Sequence, residues 1–384
     1  MHLAFPRPSL RCPPRLLTLA LSCTRPAAYN PSTAPSRQRL GYHGPFGVGV
    51  SWYTTSQLTN HTVRYGLDPH TTMLPAHSNN SVTYLTSSKW NSRPVLDDLL
   101  PSTNYYQSIV ISTANETYRF TTACLAADLR RMTVGLVADM GTLRDLGLSD
   151  HCRCSINGRA EESREFAALS PLAQANCDNG WQKGFTKSNC PQGHTNFTDY
   201  TNRFRMPSAP DESQPGAKYH KGSFSAPNQQ LDFIKPDLAK VGCLRMPWVV
   251  AVKQRPWYTA ADVLSLCTTR QLAFEPLPTQ YGVDIVLQSH VQISMRIPLT
   301  TNNKTDPNGR NNPSAPSCII FGAAGHFYCL DAIAQHPPAF VTYAQHSSYA
   351  FSRLTGFNRT HLMHEFAGTM NRNIIDSAVL YKEH

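Results

Sequence analysis

Acidic side chains are scarce in this chain. Its 384 residues hold 25 Asp and Glu against 35 Lys and Arg, and the first acid is Asp68. Charged residues make up only 16 % of the sequence, beside 29 prolines and 21 glycines. That balance argues against a mainly helical protein and for a β-rich one with many turns. The net charge of +10 reflects missing acids rather than clustered bases. No Lys/Arg cluster interleaved with aromatics occurs, nor any zinc-finger spacing, so no nucleic-acid partner is expected. No apolar run is long enough to span a bilayer; the best N-terminal one, LLTLAL at 16–21, is far too short. A Gly-x-Ser-x-Gly elbow and a Cys-His nucleophile signature are also lacking, which removes those hydrolase classes. Cysteine is not scarce, at eleven residues, and in a secretory compartment several of them would pair. Cys152-Arg-Cys154 is too tight for the usual zinc Cys-x-x-Cys and has no second half.

Arg7, Arg11 and Arg15 precede the 16–21 run, and Ser22-Cys23 follows it. This is the layout of a signal peptide over 1–23 with a proline-interrupted front. An Arg-rich, acid-free start also fits an organelle transit segment. Six Asn-x-Ser/Thr sites favour secretion and a glycoprotein: Asn60, Asn79, Asn115, Asn196, Asn303 and Asn358.

The Pro/Ser/Thr-rich stretch 24–39 reads as a linker. From there to 123, alternating segments such as Gly47-Val-Gly-Val-Ser-Trp-Tyr53 and Thr62-Val-Arg-Tyr-Gly66 recur between turn residues. They predict an antiparallel sandwich of about seven strands over 40–123. After 123 the pattern changes. Apolar runs at 132–138, 248–252, 283–287 and 317–321 predict strands covered on both faces. Helices are expected at 231–240, despite Pro236, and at 263–274. Strands return near the end, at 351–354, 361–366 and 378–381. The second part, 124–384, is thus expected to be a layered α/β domain.

Ligands in such domains gather where strands end. Asp139 ends the first buried run, Gln254-Arg-Pro-Trp-Tyr258 the second and His290 the third. Each is weak alone, since an Asp after a strand is commonly a helix cap and a lone His is more often structural than a ligand. Other islands stand in order around them: Ala175-Asn-Cys-Asp-Asn-Gly180, Phe204-Arg-Met-Pro-Ser208, Tyr281-Gly-Val-Asp284, Asp306-Pro-Asn-Gly309, Gly322-Ala-Ala-Gly-His326 and Asp376-Ser-Ala378. Together they resemble the purple acid phosphatases, particularly the fungal type, over most of the chain. Leu99-Leu-Pro-Ser-Thr-Asn-Tyr-Tyr106 resembles the turn and tyrosine of fibronectin type III domains.

The resemblance implies a metallophosphoesterase that hydrolyses phosphate monoesters at acidic pH. It implies a binuclear centre of iron with iron, zinc or manganese, whose bound hydroxide attacks phosphorus. Family ligands carry over poorly. Asp139-Met-Gly141 matches the Asp-x-Gly motif. No Gly-Asp-x-x-Tyr lies between Gly141 and Asn176, and Pro171-Leu-Ala-Gln174 stands where Gly-Asn-His-Glu is expected. Gln254 replaces a histidine; in the Gly-His-x-His motif Ser289 replaces the glycine, His290 survives and Gln292 replaces the second histidine. Asp139 and His290 are therefore the only metal-ligand matches, with Arg255 and Arg296 as candidate phosphate contacts. One carboxylate and one imidazole cannot offset the charge of two multivalent cations or fill their coordination shells. The chain is also short between 141 and 176 and between 208 and 231, so sheet strands are expected to be missing. The expectation is a family member with impaired or absent catalysis. The alternatives are a secreted, glycosylated, non-catalytic scaffold or the product of a coding sequence that has lost internal segments.

Overall fold

The computed structural model describes residues 34–138 and 229–383, apart from short stretches such as 71–73, 111–115, 242–245 and 326–329. It is rich in strands and poor in helices.

The N-terminal part contains β1 (Ser36–His43), β2 (Gly47–Thr54), β3 (His61–Gly66), β4 (Leu74–Ser78), β5 (Trp90–Ser92), β6 (Val95–Leu96), β7 (Asn104–Val110) and β8 (Thr117–Thr121). One antiparallel sheet runs β1-β2-β5, with β6 also paired to β2; the other runs β4-β3-β7-β8. Side chains alternate across each strand, so every second residue meets the opposite sheet. Val48, Val50, Trp52 and Leu96 from the first sheet share a buried core with Val63, Ala76, Tyr105, Ile109 and Phe120 from the second. The Tyr105 hydroxyl accepts the Leu100 amide at 3.1 Å, pinning the turn that feeds β7.

The second part holds β9 (Met132–Leu136), α1 (Gln229–Ala239), β10 (Val250–Lys253), α2 (Thr268–Phe274), α3 (Pro276–Gln280), β11 (Ile285–Gln288), β12 (Ser294–Ile297), β13 (Thr300–Thr301), β14 (Lys304–Thr305), β15 (Ser317–Phe321), β16 (Tyr343–Gln345), β17 (Ala350–Gly356), β18 (His361–Gly368) and β19 (Ile374–Tyr381). A mixed sheet runs β10-β11-β15-β12-β16, with its first three strands parallel. An antiparallel sheet runs β19-β18-β17-β9.

The mixed sheet is covered on both faces, as its continuous apolar strands require. Val286, Met295, Ile297, Cys318 and Ile320 face one core, against Leu238 of α1 and Phe274 of α2. Ile285, Leu287, Ile319 and Phe321 face the other, against Leu354, Leu362, Phe366 and Leu380 of the antiparallel sheet. The layers are therefore helix, mixed sheet, antiparallel sheet, and one face carries strands where a layered α/β reading places helices.

Two strands depart from expectation for a common reason. The 132–138 run, expected to be covered on both faces, forms β9 at the edge of the antiparallel sheet, with Met132 and Val137 about half exposed. β10 is likewise an edge strand, and its Val252 is 68 % exposed. An edge leaves one side of a strand without neighbours, whatever its composition. The helix expected over 263–274 is described only from Thr268, and Pro236 sits inside α1. No described helix is long and apolar enough to cross a membrane.

Candidate active site

The parallel strands β10, β11 and β15 deliver Gln254, Ser289-His290 and Gly322-Ala-Ala-Gly325 to the same end of the sheet. Parallel register makes this inevitable, because each strand ends beside its neighbour's end. The loop after β10 is held firmly. Gln288, fully buried, accepts the Trp257 amide at 2.9 Å through Oε1. Lys253 places its ammonium 3.5 Å from the centre of the Trp257 ring. The Tyr258 hydroxyl donates to one oxygen of buried Glu275, and Gln271 Nε2 donates to the other at 2.8 Å. These contacts make the Arg-Pro-Trp-Tyr stretch a structural anchor.

Polar side chains at the strand ends engage one another. The Ser289 hydroxyl donates to Gln254 Oε1 at 2.6 Å, and the Ser289 amide donates to the Gln254 carbonyl at 3.0 Å. Gln292 turns its amide nitrogen back onto the His290 carbonyl at 2.8 Å, and its own backbone amide donates to Asp331 Oδ2 at 2.7 Å. His290 is half-buried and holds a left-handed backbone, φ 70°. Such a conformation is uncommon for a residue with a side chain and concentrates at functional sites.

The two arginines differ sharply. Arg255 is half-buried, its Nε has no hydrogen-bond partner among the described residues, and burial pushes its guanidinium below the ordinary value. Arg296 lies between the two sheets. Its Nε and Nη2 donate to Asp376 Oδ2 and Oδ1 at 2.9 and 2.8 Å, and Nη1 donates to Thr342 at 3.2 Å. Every guanidinium nitrogen of Arg296 is thus engaged within the interlayer, away from the strand ends where the phosphate contact was expected. Asp139 lies outside the described residues, as do Asn115, Asn196 and Asn303. Asn60, Asn79 and Asn358 are exposed. Cys318 is fully buried, and burial pushes its thiol up to about 12, so it offers no thiolate nucleophile.

Residues 315–377 match the family model described as iron/zinc purple acid phosphatase-like protein C. The chain is 27 % identical to Acid phosphatase A of Cryphonectria parasitica, across 92 % of each chain. It is 29 % identical to Purple acid phosphatase 22 of Arabidopsis thaliana, across 42 % of this chain and 39 % of that one. A solved purple acid phosphatase from yellow lupin (Lupinus luteus) seeds shares the fold, with a TM-score of 0.72 over 92 % of this chain and 75 % of that chain, at 15 % identity. The chain belongs to the purple acid phosphatase family. The match to the Cryphonectria protein runs over 468 positions, more than the 384 residues present here. That relative therefore carries stretches this chain lacks.

Purple acid phosphatases depend on a binuclear metal centre. The described donor set does not fit one. Its members at the strand ends are the imidazole of His290 and the neutral amides of Gln254 and Gln292, with Gln254 Oε1 already accepting from Ser289 and the Gln292 amide turned to a carbonyl. Among the described residues no three His, Cys, Asp or Glu side chains converge. Neutral amides neither offset cation charge nor replace imidazole for iron or zinc. The Ser289–Gln254 link and the Asp331 tether of Gln292 were not legible in the sequence, because they join residues 35 and 39 positions apart without any periodic signal.

Proposed function

We propose that this chain is a secreted, glycosylated member of the purple acid phosphatase family whose metal centre is degraded, so that it hydrolyses phosphate monoesters feebly or not at all. The Ser289–Gln254 hydrogen bond carries the reading: a position the family fills with a metal-ligating histidine here satisfies a neighbouring hydroxyl. Asp139 and His290 are what remains of the ligand set. Arg255, half-buried in the loop after β10, is the remaining candidate to hold a phosphate-bearing ligand at the strand ends. Arg296 serves instead to join the sheets through Asp376. The extra positions in the Cryphonectria relative support a second reading, in which internal coding segments have been lost.

In this proposal residues 1–23 are a signal peptide, 40–123 belong to a fibronectin type III-like module and 124–384 are the metallophosphoesterase-like part; the linker expected over 24–39 stops short of Ser36, where β1 already pairs with β2. The Tyr105–Leu100 hydrogen bond supports the module's assignment, since such domains use a tyrosine to brace the same corner.

The test is direct. Purified full-length protein is analysed for bound iron, zinc and manganese and assayed with an aryl phosphate near pH 5. Metal well below one ion per chain and no turnover above a buffer blank are expected. Two ions per chain with turnover would reject the reading.

A further inference from the structure

His364 is 2 % exposed, in the middle of β18, and neither ring nitrogen has a hydrogen-bond partner among the described residues. A neutral imidazole carries one donor and one acceptor, and leaving both unmade in a buried site is costly. Its surroundings are specific. In the antiparallel sheet it stands opposite Leu354 of β17 and Ala378 of β19. A T-shaped contact with Phe366, ring centres 4.6 Å apart, fixes the ring. Across the interlayer stand Ile285, Arg296 and Ile319 of the mixed sheet.

A cavity of about 20 Å³ lies at this point. Its walls include His364, Arg296, Ser317 and Arg310 among aliphatic side chains such as Leu362 and Leu380. One water needs roughly 10–15 Å³ in which its centre can sit, together with two to four polar partners. Both conditions hold. Arg296 is already committed to Asp376 and Thr342, so it leaves no unbalanced charge to draw an anion. The Ser317 hydroxyl donates to the Ile297 carbonyl at 3.2 Å, which leaves its lone pairs able to accept.

We propose that the cavity between the two sheets is a single-water site, and that its water is the hydrogen-bond partner of His364. The water donates to the unprotonated ring nitrogen or accepts from the protonated one, and it bridges to Ser317 on β15. One of the two unpartnered ring nitrogens is satisfied in this way, and the two sheets are linked at a second point beside the Arg296–Asp376 pair. This inference is independent of the metal centre.

Crystals of the full chain at neutral pH provide the test. One water within hydrogen-bond distance of a His364 nitrogen and of Ser317 is expected; a dry cavity, or a water touching only Ser317 and the arginines, overturns the proposal. Long-range nitrogen–proton spectra of the histidine side chains check it in solution, where a single neutral tautomer is expected, with a long-lived water at its protonated or its unprotonated ring nitrogen. An imidazolium at pH 7, or a ring with no water correlation at either nitrogen, rejects it. The His364→Leu variant completes the set: loss of that water agrees with the assignment, and an unmoved water contradicts it.

Discussion

The Ser289 hydroxyl donates to Gln254 Oε1 across 2.6 Å, joining the exits of two adjacent parallel strands. In a working member of this family the second of these positions would belong to a metal ligand. Here the strand ends are closed by a protein–protein hydrogen bond. Ser289→Ala removes it and leaves the Gln254 amide oxygen to solvent or to a weaker partner. A loss of about 1 kcal/mol is expected in urea denaturation, with no change in phosphatase activity from its starting level.

Restoring imidazoles at both substituted positions should recover metal binding. Gln254→His with Gln292→His would give three histidines, with His290, from neighbouring strand ends. Three nitrogen ligands plus a water are a sufficient zinc set. Zinc affinity at least about tenfold tighter than that of the unmodified chain is expected in a competition titration at pH 7. Equal affinity in the two proteins would show that the backbone at these strand ends no longer has the geometry of a metal site.

Arg296 and Asp376 form a two-pronged ion pair with side chains 9 % and 12 % exposed. Removing one partner strands a largely buried charge. Arg296→Met should cost about 3 kcal/mol, read from the urea midpoint. Asp376→Leu in the same chain should return much of that loss, because the stranded carboxylate is then gone. Additive losses in the double variant would contradict the pairing.

His364 predicts acid sensitivity. Burial, and secondarily the Arg296 charge, push its imidazole down to about 3. The charged groups facing it are Arg296 of β12, with Asp376 of β19, and Arg310 at the cavity wall. The unfolded chain protonates this histidine near 6.5, whereas the folded chain keeps it neutral, so the unfolded state binds the extra proton between those limits. Stability contributed by the neutral ring is present above about pH 6.5 and falls as pH drops toward 3, by up to about 1.4 kcal/mol per unit. His364→Leu should flatten the stability–pH slope over that window. An unchanged slope would mean that the ring is not held neutral.

Asn60, Asn79 and Asn358 are exposed and lie in Asn-x-Ser/Thr sequences. At exposed Asn358 the side-chain oxygen accepts the Thr360 and His361 amides at 2.8 and 2.9 Å, so the local backbone bonds engage the oxygen of the acceptor amide. Expression through a eukaryotic secretory pathway should yield glycopeptides at all three positions. Unmodified asparagine at all three would remove the case for secretion.

The family was legible from the order of short islands, and the strands β11, β15, β17, β18 and β19 from apolar runs and alternation. The edge character of β9 and β10 was not. Met132-Thr-Val-Gly-Leu-Val and Trp248-Val-Val-Ala-Val read as interior strands because composition records what a segment can bury, and neighbours decide what it does bury. The candidate site was half legible. His290, Gln254 and Gln292 could be placed by motif, but their mutual hydrogen bonds required knowing which strand ends are adjacent. Arg296 shows the limit most clearly: six residues after the surviving His290, it looked like a phosphate contact, and the pleat turned it toward Asp376 on another sheet.

By itself the sequence determined the family, the β-rich character and the exchange of histidines for neutral amides, since those depend only on which side chains occur and in what order. The tertiary structure alone decided where those side chains lie. It set Ser289 against Gln254, Arg296 against Asp376 and His364 against a water-sized cavity, because contacts between distant residues arise from strand pairing and sheet stacking, which local pattern does not encode.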